Sequence, residues 1–90
     1  MAHVTEHRGK LLKRIRRIGG QVAALDRSLQ SDIDCAAVLT QIAAVRGAVQ
    51  SLMMEVLDDH LHAHVVAEPR RTVRAREMKA VNALMRTYVR

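Results

Sequence analysis

Residues 35–66 read CAAVLTQIAAVRGAVQSLMMEVLDDHLHAHVV, and their periodicity decides the fold. Val38, Ile42, Val45, Val49, Leu52 and Val56 alternate steps of four and three, the spacing of a coiled-coil seam. The segment holds no proline and only Gly47, so it reads as one helix from about Asp32 to Val66. At ~1.5 Å per residue such a helix is roughly 45–50 Å long. It outruns a globule of 90 residues, and its second apolar side calls for a partner.

Two shorter helices flank it. Upstream, Leu11, Leu12, Ile15, Ile18, Val22 and Leu25 recur at three- and four-residue steps, which predicts a helix from about Thr5 to Leu29. Gly19-Gly20 lowers helix propensity there by ~1 kcal/mol each, favouring a bend or close packing. In the polar turn SLQSDID, Ser31 with Asp34 has the form of an N-cap pair. Pro69 ends the long helix, and a third helix is expected from about Arg71 to Val89, with Val73, Val81, Leu84, Met85 and Tyr88 apolar. The fold class is therefore all-α, a single domain over 1–90 with a three-helix protomer.

Composition supports this reading. Hydrophobic residues make up 49% of the chain, yet Phe and Trp are absent and Tyr88 is the one aromatic. A core of aliphatic side chains suits helix-on-helix packing, and a domain this small gains stability from oligomerisation. The single cysteine excludes an intrachain disulfide and points to a reducing compartment, with the cytoplasm as default. No signal peptide is recognised, and no apolar run approaches ~18 residues, so no membrane partner is expected.

The net charge of +6 implies a polyanionic partner, nucleic acid ahead of membrane. Arg8, Lys10, Lys13, Arg14, Arg16 and Arg17 place six cations within ten residues of the first helix. A charge run is ordinarily a solvated face. This one lacks acidic i,i+4 partners beyond Glu6, and Arg70, Arg71, Arg74 and Arg76 extend the excess to the third helix. Phosphate binding along a duplex follows. No helix-turn-helix, zinc-finger or basic-zipper pattern is present.

The histidines are unequal. At about 100° per residue, His60 falls roughly 20° short of whole turns from Cys35, His64 roughly 20° past, and His62 about 180° away. Cys35, His60 and His64 thus share a face, but ~37 Å of helix separates the first two. An antiparallel partner helix, with its two-fold axis near Ala48–Val49, would bring Cys35 of one chain to His60 and His64 of the other. A thiolate with two imidazoles suits Zn(II), Co(II), Ni(II) or copper, not Mg or Ca. Cys35 in a helix first turn is placed for thiolate formation. His3 is a further nitrogen ligand, and removal of Met1 before Ala2 would add the N-terminal amine. More nitrogen or oxygen ligands shift the preference from tetrahedral zinc towards five- or six-coordinate cobalt or nickel. Taken singly, such a cysteine is ordinarily a small buried residue and such histidines surface groups. His7 and His62 keep that ordinary reading, with His7 a possible helper of His3.

The stretch DCAAVLTQIAAVRGAVQSLMMEVLDDHLHAHVV, with LLKRIRRIGGQVAALDRSL upstream, closely resembles the copper-sensitive operon repressor family (CsoR/RcnR) over essentially the whole chain. The resemblance implies an antiparallel four-helix-bundle dimer, a dimer-of-dimers tetramer, and a repressor that releases operator DNA when an inducer binds. Copper sensors carry Cys–His–Cys, whereas the last position here is His64; persulfide sensors need a second cysteine. The set His3, Cys35, His60, His64 resembles the nickel/cobalt-responsive branch, although residue 2 is Ala where that branch has Ser. By the same resemblance Arg14 and Arg17 match DNA-binding positions, with Lys13, Arg16 and Arg46 as contributors beside Lys10. A formaldehyde-responsive repressor using Cys35 and the N-terminal amine is the alternative within the family. A basic DNA-binding scaffold without an inducer is the alternative outside it. Nothing in the sequence has the form of an enzyme site: there is no phosphate-cradling glycine loop and no carboxylate pair in a cleft.

Overall fold

The computed structural model describes residues 7–89, and among them the regular elements are all helical. Helix α1 spans Arg8–Gln30 and α2 spans Cys35–Leu61, running straight on into a π-helical turn at His62–Val66; α3 spans Arg71–Tyr88. The three expected helices are present. The expected start of the first near Thr5 lies outside the described residues.

One boundary is corrected. Asp34, not Ser31, caps α2: its Oδ1 accepts the Ala37 N–H at 2.8 Å, and its carbonyl accepts from Val38. Ser31 closes the preceding turn instead, its N–H and hydroxyl both donating to the Ser28 carbonyl. Both residue types cap well; Asp34 prevails because Cys35 is the first helical residue. α1 passes through Gly19 and Gly20 without a positive φ, and a Cβ on either would meet nothing within 4 Å. Their place in the helix is therefore not explained by close packing in this chain.

Past the π turn, the Ala67 N–H donates to the His62 carbonyl at 3.0 Å. Helical bonding stops two residues before Pro69, whose ring disfavours helical backbone in the residue before it. Glu68 holds the elbow: its Oε1 accepts from both N–H and Nε of Arg70, at 3.0 and 2.9 Å, and its carbonyl accepts from Arg74 Nη1. The Arg70 side-chain bond is the main reason the Glu68 carboxyl titrates below its ordinary value.

The chain forms two compact units. One is residues 9–52; the other, among described residues, is 53–89 with 7–8. In the first, Leu11 of α1 is buried, and Gln41 Nε2 of α2 donates to Ser28 Oγ of α1 at 2.8 Å. In the second, α3 packs on the π turn with Val81 buried. These two are the buried apolar side chains among the described residues.

The seam read from the sequence splits into two faces. Val38, Val45, Leu52 and Val56 are half-buried, while Leu39, Ile42, Val49 and Met53 are exposed. At about 100° per residue the exposed four lie within roughly 40° of Cys35. The cysteine, itself exposed, therefore stands on the uncovered apolar stripe rather than in a core.

The sequence holds no unbroken apolar run of about 18 residues, yet one helix is apolar on average. The continuous helix Cys35–Val66, 32 residues with a mean hydropathy of 1.3, is long and apolar enough to cross a membrane by length and composition. The two descriptions differ because a count of unbroken runs stops at each polar residue, whereas the average tolerates scattered Gln, Ser and Thr beside Arg46. A helix that packs against neighbours on two sides has the same composition.

The cap gives a direct test. Asp34→Ala should lower stability by about 1 kcal/mol, read from the urea midpoint at unchanged slope.

Candidate metal centre and nucleic-acid interface

His60 is the penultimate residue of α2, and His64 lies in the π turn. Their ring centroids stand 4.6 Å apart with planes inclined by 39°. In a regular α-helix four residues overshoot a full turn by about 40°. A turn that closes on the fifth residue reduces that overshoot and sets the second ring more nearly above the first. His62 faces away, with a side chain 68% exposed against 26% for His60, and its Nδ1 lies 2.9 Å from the Asp58 carbonyl. The structure thus brings His60 and His64 together and excludes His62, as the helical phase requires.

His60 has a partner that its own helix does not provide. Its Nε2 lies 3.1 Å from Glu77 Oε2 on α3. In the tautomer with the proton on Nε2, the imidazole donates to the carboxylate and Nδ1 carries the lone pair. An outer carboxylate of this kind fixes ring orientation and raises the basicity of the other nitrogen. Glu77 escaped the sequence reading, although one signal was available: it is the lone acid between Arg71 and Tyr88. His60 also lines a cavity of about 180 Å³ with Met53, Val56, Leu57, Leu84 and Tyr88 among its walls.

His7 occupies neither a helix nor a ligand cluster among the described residues; its Nε2 lies 3.6 Å from Asp59 Oδ1, beside His60. Cys35 is the first residue of α2, so 25 residues of one helix separate it from His60. No group of three or more His, Cys, Asp or Glu side chains able to hold a metal occurs among the described residues. His3 and the Ala2 amine lie outside them. The donors present, an adjacent imidazole pair with a buttressing carboxylate and a separate exposed thiol, fit a late first-row divalent ion as half-sites.

The basic residues sort similarly. Lys10, Lys13, Arg14 and Arg17 line one shallow depression on α1. They share an arc of about 100° on the helix, whereas Arg16 stands about 100° from Arg17 and off that arc. Arg46 is exposed on α2, within the apolar stripe, and does not line the depression.

Comparison with known proteins assigns the family. The profile described as "metal-sensitive transcriptional repressor" matches residues 7–89. The chain belongs to the metal-sensitive transcriptional repressor family. It is 39% identical over 90 residues, the whole of both chains, to the transcriptional repressor RcnR of Citrobacter koseri. It is 43% identical over 91 residues, again the whole of both, to an uncharacterised protein from the bioA 5′ region of Serratia marcescens. Among solved structures it matches a glutamate-to-histidine variant of the formaldehyde-responsive regulator FrmR from Salmonella enterica serovar Typhimurium. That match has 45% identity and a TM-score of 0.82, covering 93% of this chain and 96% of the other. The metal-sensitive repressor family is one of transcriptional regulators, not enzymes, and the all-α fold expected from the resemblance is the fold observed.

The unequal histidines yield a test. Cys35→Ala, His60→Ala and His64→Ala should each weaken Co(II) binding by more than the roughly 10–100-fold typical of an outer-shell loss. His62→Ala should leave it unchanged in the same competition titration.

Proposed function

We propose that this chain is a cytoplasmic, single-domain repressor that binds operator DNA when metal-free and releases it on binding Ni(II) or Co(II). Genes for metal efflux or detoxification would thereby be derepressed. The observation that carries this reading is the adjacent His60–His64 ring pair, with Cys35 exposed at the start of the same helix and matched to it in the phase expected from the sequence. In this reading two chains pair antiparallel through Leu39, Ile42, Val49 and Met53, forming a four-helix bundle, and two such dimers form a tetramer. Cys35 of one chain then meets His60 and His64 of the other, with His3 and the Ala2 amine completing the set. Zn(II) suits the same donors in lower coordination. The likeness to RcnR and the family's metal-sensitive description support a metal inducer.

Within this scheme Lys10, Lys13, Arg14 and Arg17 hold phosphates, with Arg16 and Arg46 at the margins of the contact. Glu77 keeps the His60 ring in a fixed orientation from α3, so a change at the imidazole is felt by a second helix. By linkage, whatever the ion subtracts from DNA affinity, DNA subtracts from ion affinity, about 1–3 kcal/mol for typical coupling. The second reading is a formaldehyde-responsive repressor in which Cys35 and the N-terminal amine react covalently. The 45% identity to FrmR favours it.

Two measurements test these readings. Stoichiometric Ni(II) or Co(II) should weaken operator binding by roughly 5–150-fold in fluorescence anisotropy. Unchanged affinity with metal, but loss of binding with a methylene bridge detected by mass after formaldehyde, would replace the first reading by the second. Separately, Ile42→Asp with Val49→Asp should shift the protein to monomer in sedimentation, because two carboxylates cannot be left unpaired in an apolar contact.

A further inference from the structure

The cations of α3 have no part in the scheme above, yet they are arranged as regularly as those of α1. At about 100° per residue, Arg71, Arg76, Lys79 and Arg86 fall within one arc of roughly 140° on α3. All four are exposed, and no carboxylate pairs with them among the described residues. The acids nearby are occupied elsewhere: Glu77 faces His60, and Glu68 holds Arg70 and Arg74 at the elbow. Between the cations the same arc presents Thr72, Ala75, Asn82 and Ala83, all exposed and none carrying a charge. A face of alternating long cations and short neutral side chains lets a polyanion approach closely.

We infer that this face of α3 is a second phosphate-contacting surface, and that its partner is the backbone of duplex DNA. Spacing favours a strand of phosphates: Arg71 to Lys79 spans ~12 Å and Lys79 to Arg86 ~10 Å of helix. Intervals of this size are wide enough for each cation to reach a separate phosphate. A membrane surface fits less well. An interfacial helix sinks the apolar face opposite its cations into lipid. On α3 that face is only partly available: Val81 is buried, and Leu84, Met85 and Tyr88, though 50%, 40% and 60% exposed, line a cavity with Met53, Val56 and Leu57 of α2. Because the residues contact phosphate and not bases, they add affinity without altering sequence preference.

The inference rests on the operator-binding reading, and the experiment separates the two. Binding of full-length, metal-free protein to a duplex recovered by in vitro selection is followed by anisotropy across a salt series. Arg71→Gln, Arg76→Gln and Lys79→Gln together should reduce the slope of log K against log salt by at least about 0.9. Affinity should fall at least roughly fivefold at 0.15 M salt, the size of one lost phosphate contact. Arg71→Lys with Arg76→Lys should restore both, which a merely structural loss would not allow. Wild-type slope and affinity in the glutamine variant, while Arg14→Gln with Arg17→Gln loses binding, would overturn the α3 surface and leave the operator reading standing. Loss in neither variant removes both. Intact DNA binding with lost binding to phosphatidylglycerol–phosphatidylcholine vesicles would overturn it in favour of a membrane.

Discussion

A continuous helix that opens at Cys35 and carries apolar side chains on more than one side cannot satisfy all of them within a chain of 90 residues. α1 and α3 cover part of it, and the uncovered remainder is the stripe from Leu39 to Met53. Every other feature takes its place from that constraint. Cys35 is in phase with the part of the stripe nearest to it, so whatever covers those apolar residues also governs access to the thiol.

The two ends of α2 are prepared differently. At the start, the Asp34 carboxylate satisfies the Ala37 N–H, and the Cys35 thiol is exposed at the first residue of the helix. At the far end, the π turn stacks His64 over His60 while Glu77 reaches in from α3. An imidazole held in orientation by a carboxylate is a better placed donor than a freely turning one. The elbow at Glu68–Arg70 matters here because it sets where α3, and hence Glu77, begins.

Much of this was legible in the sequence. The alternating steps from Val38 to Val56 fixed one long helix, and Pro69 fixed its end, because periodicity and a missing N–H act locally. The same phase arithmetic separated His62 from His60 and His64. What stayed hidden depended on choices made between elements. Ser31 and Asp34 have equal capping chemistry, so sequence could not rank them. The π turn has no residue signature in HAHVV. Glu77 and Asp59 reached histidines 17 and 52 residues away in the chain, which no spacing rule anticipates. The division of the seam into covered and uncovered faces needed the position of α1.

The scarcity of buried side chains has a thermodynamic consequence. The heat-capacity increment of unfolding follows apolar area exposed to water, and here only Leu11 and Val81 are enclosed by the described residues of one chain. The half-buried side chains along the three helices therefore carry most of that increment within the chain. In the proposed pairing of copies through the stripe, added apolar burial would steepen the curvature of stability with temperature.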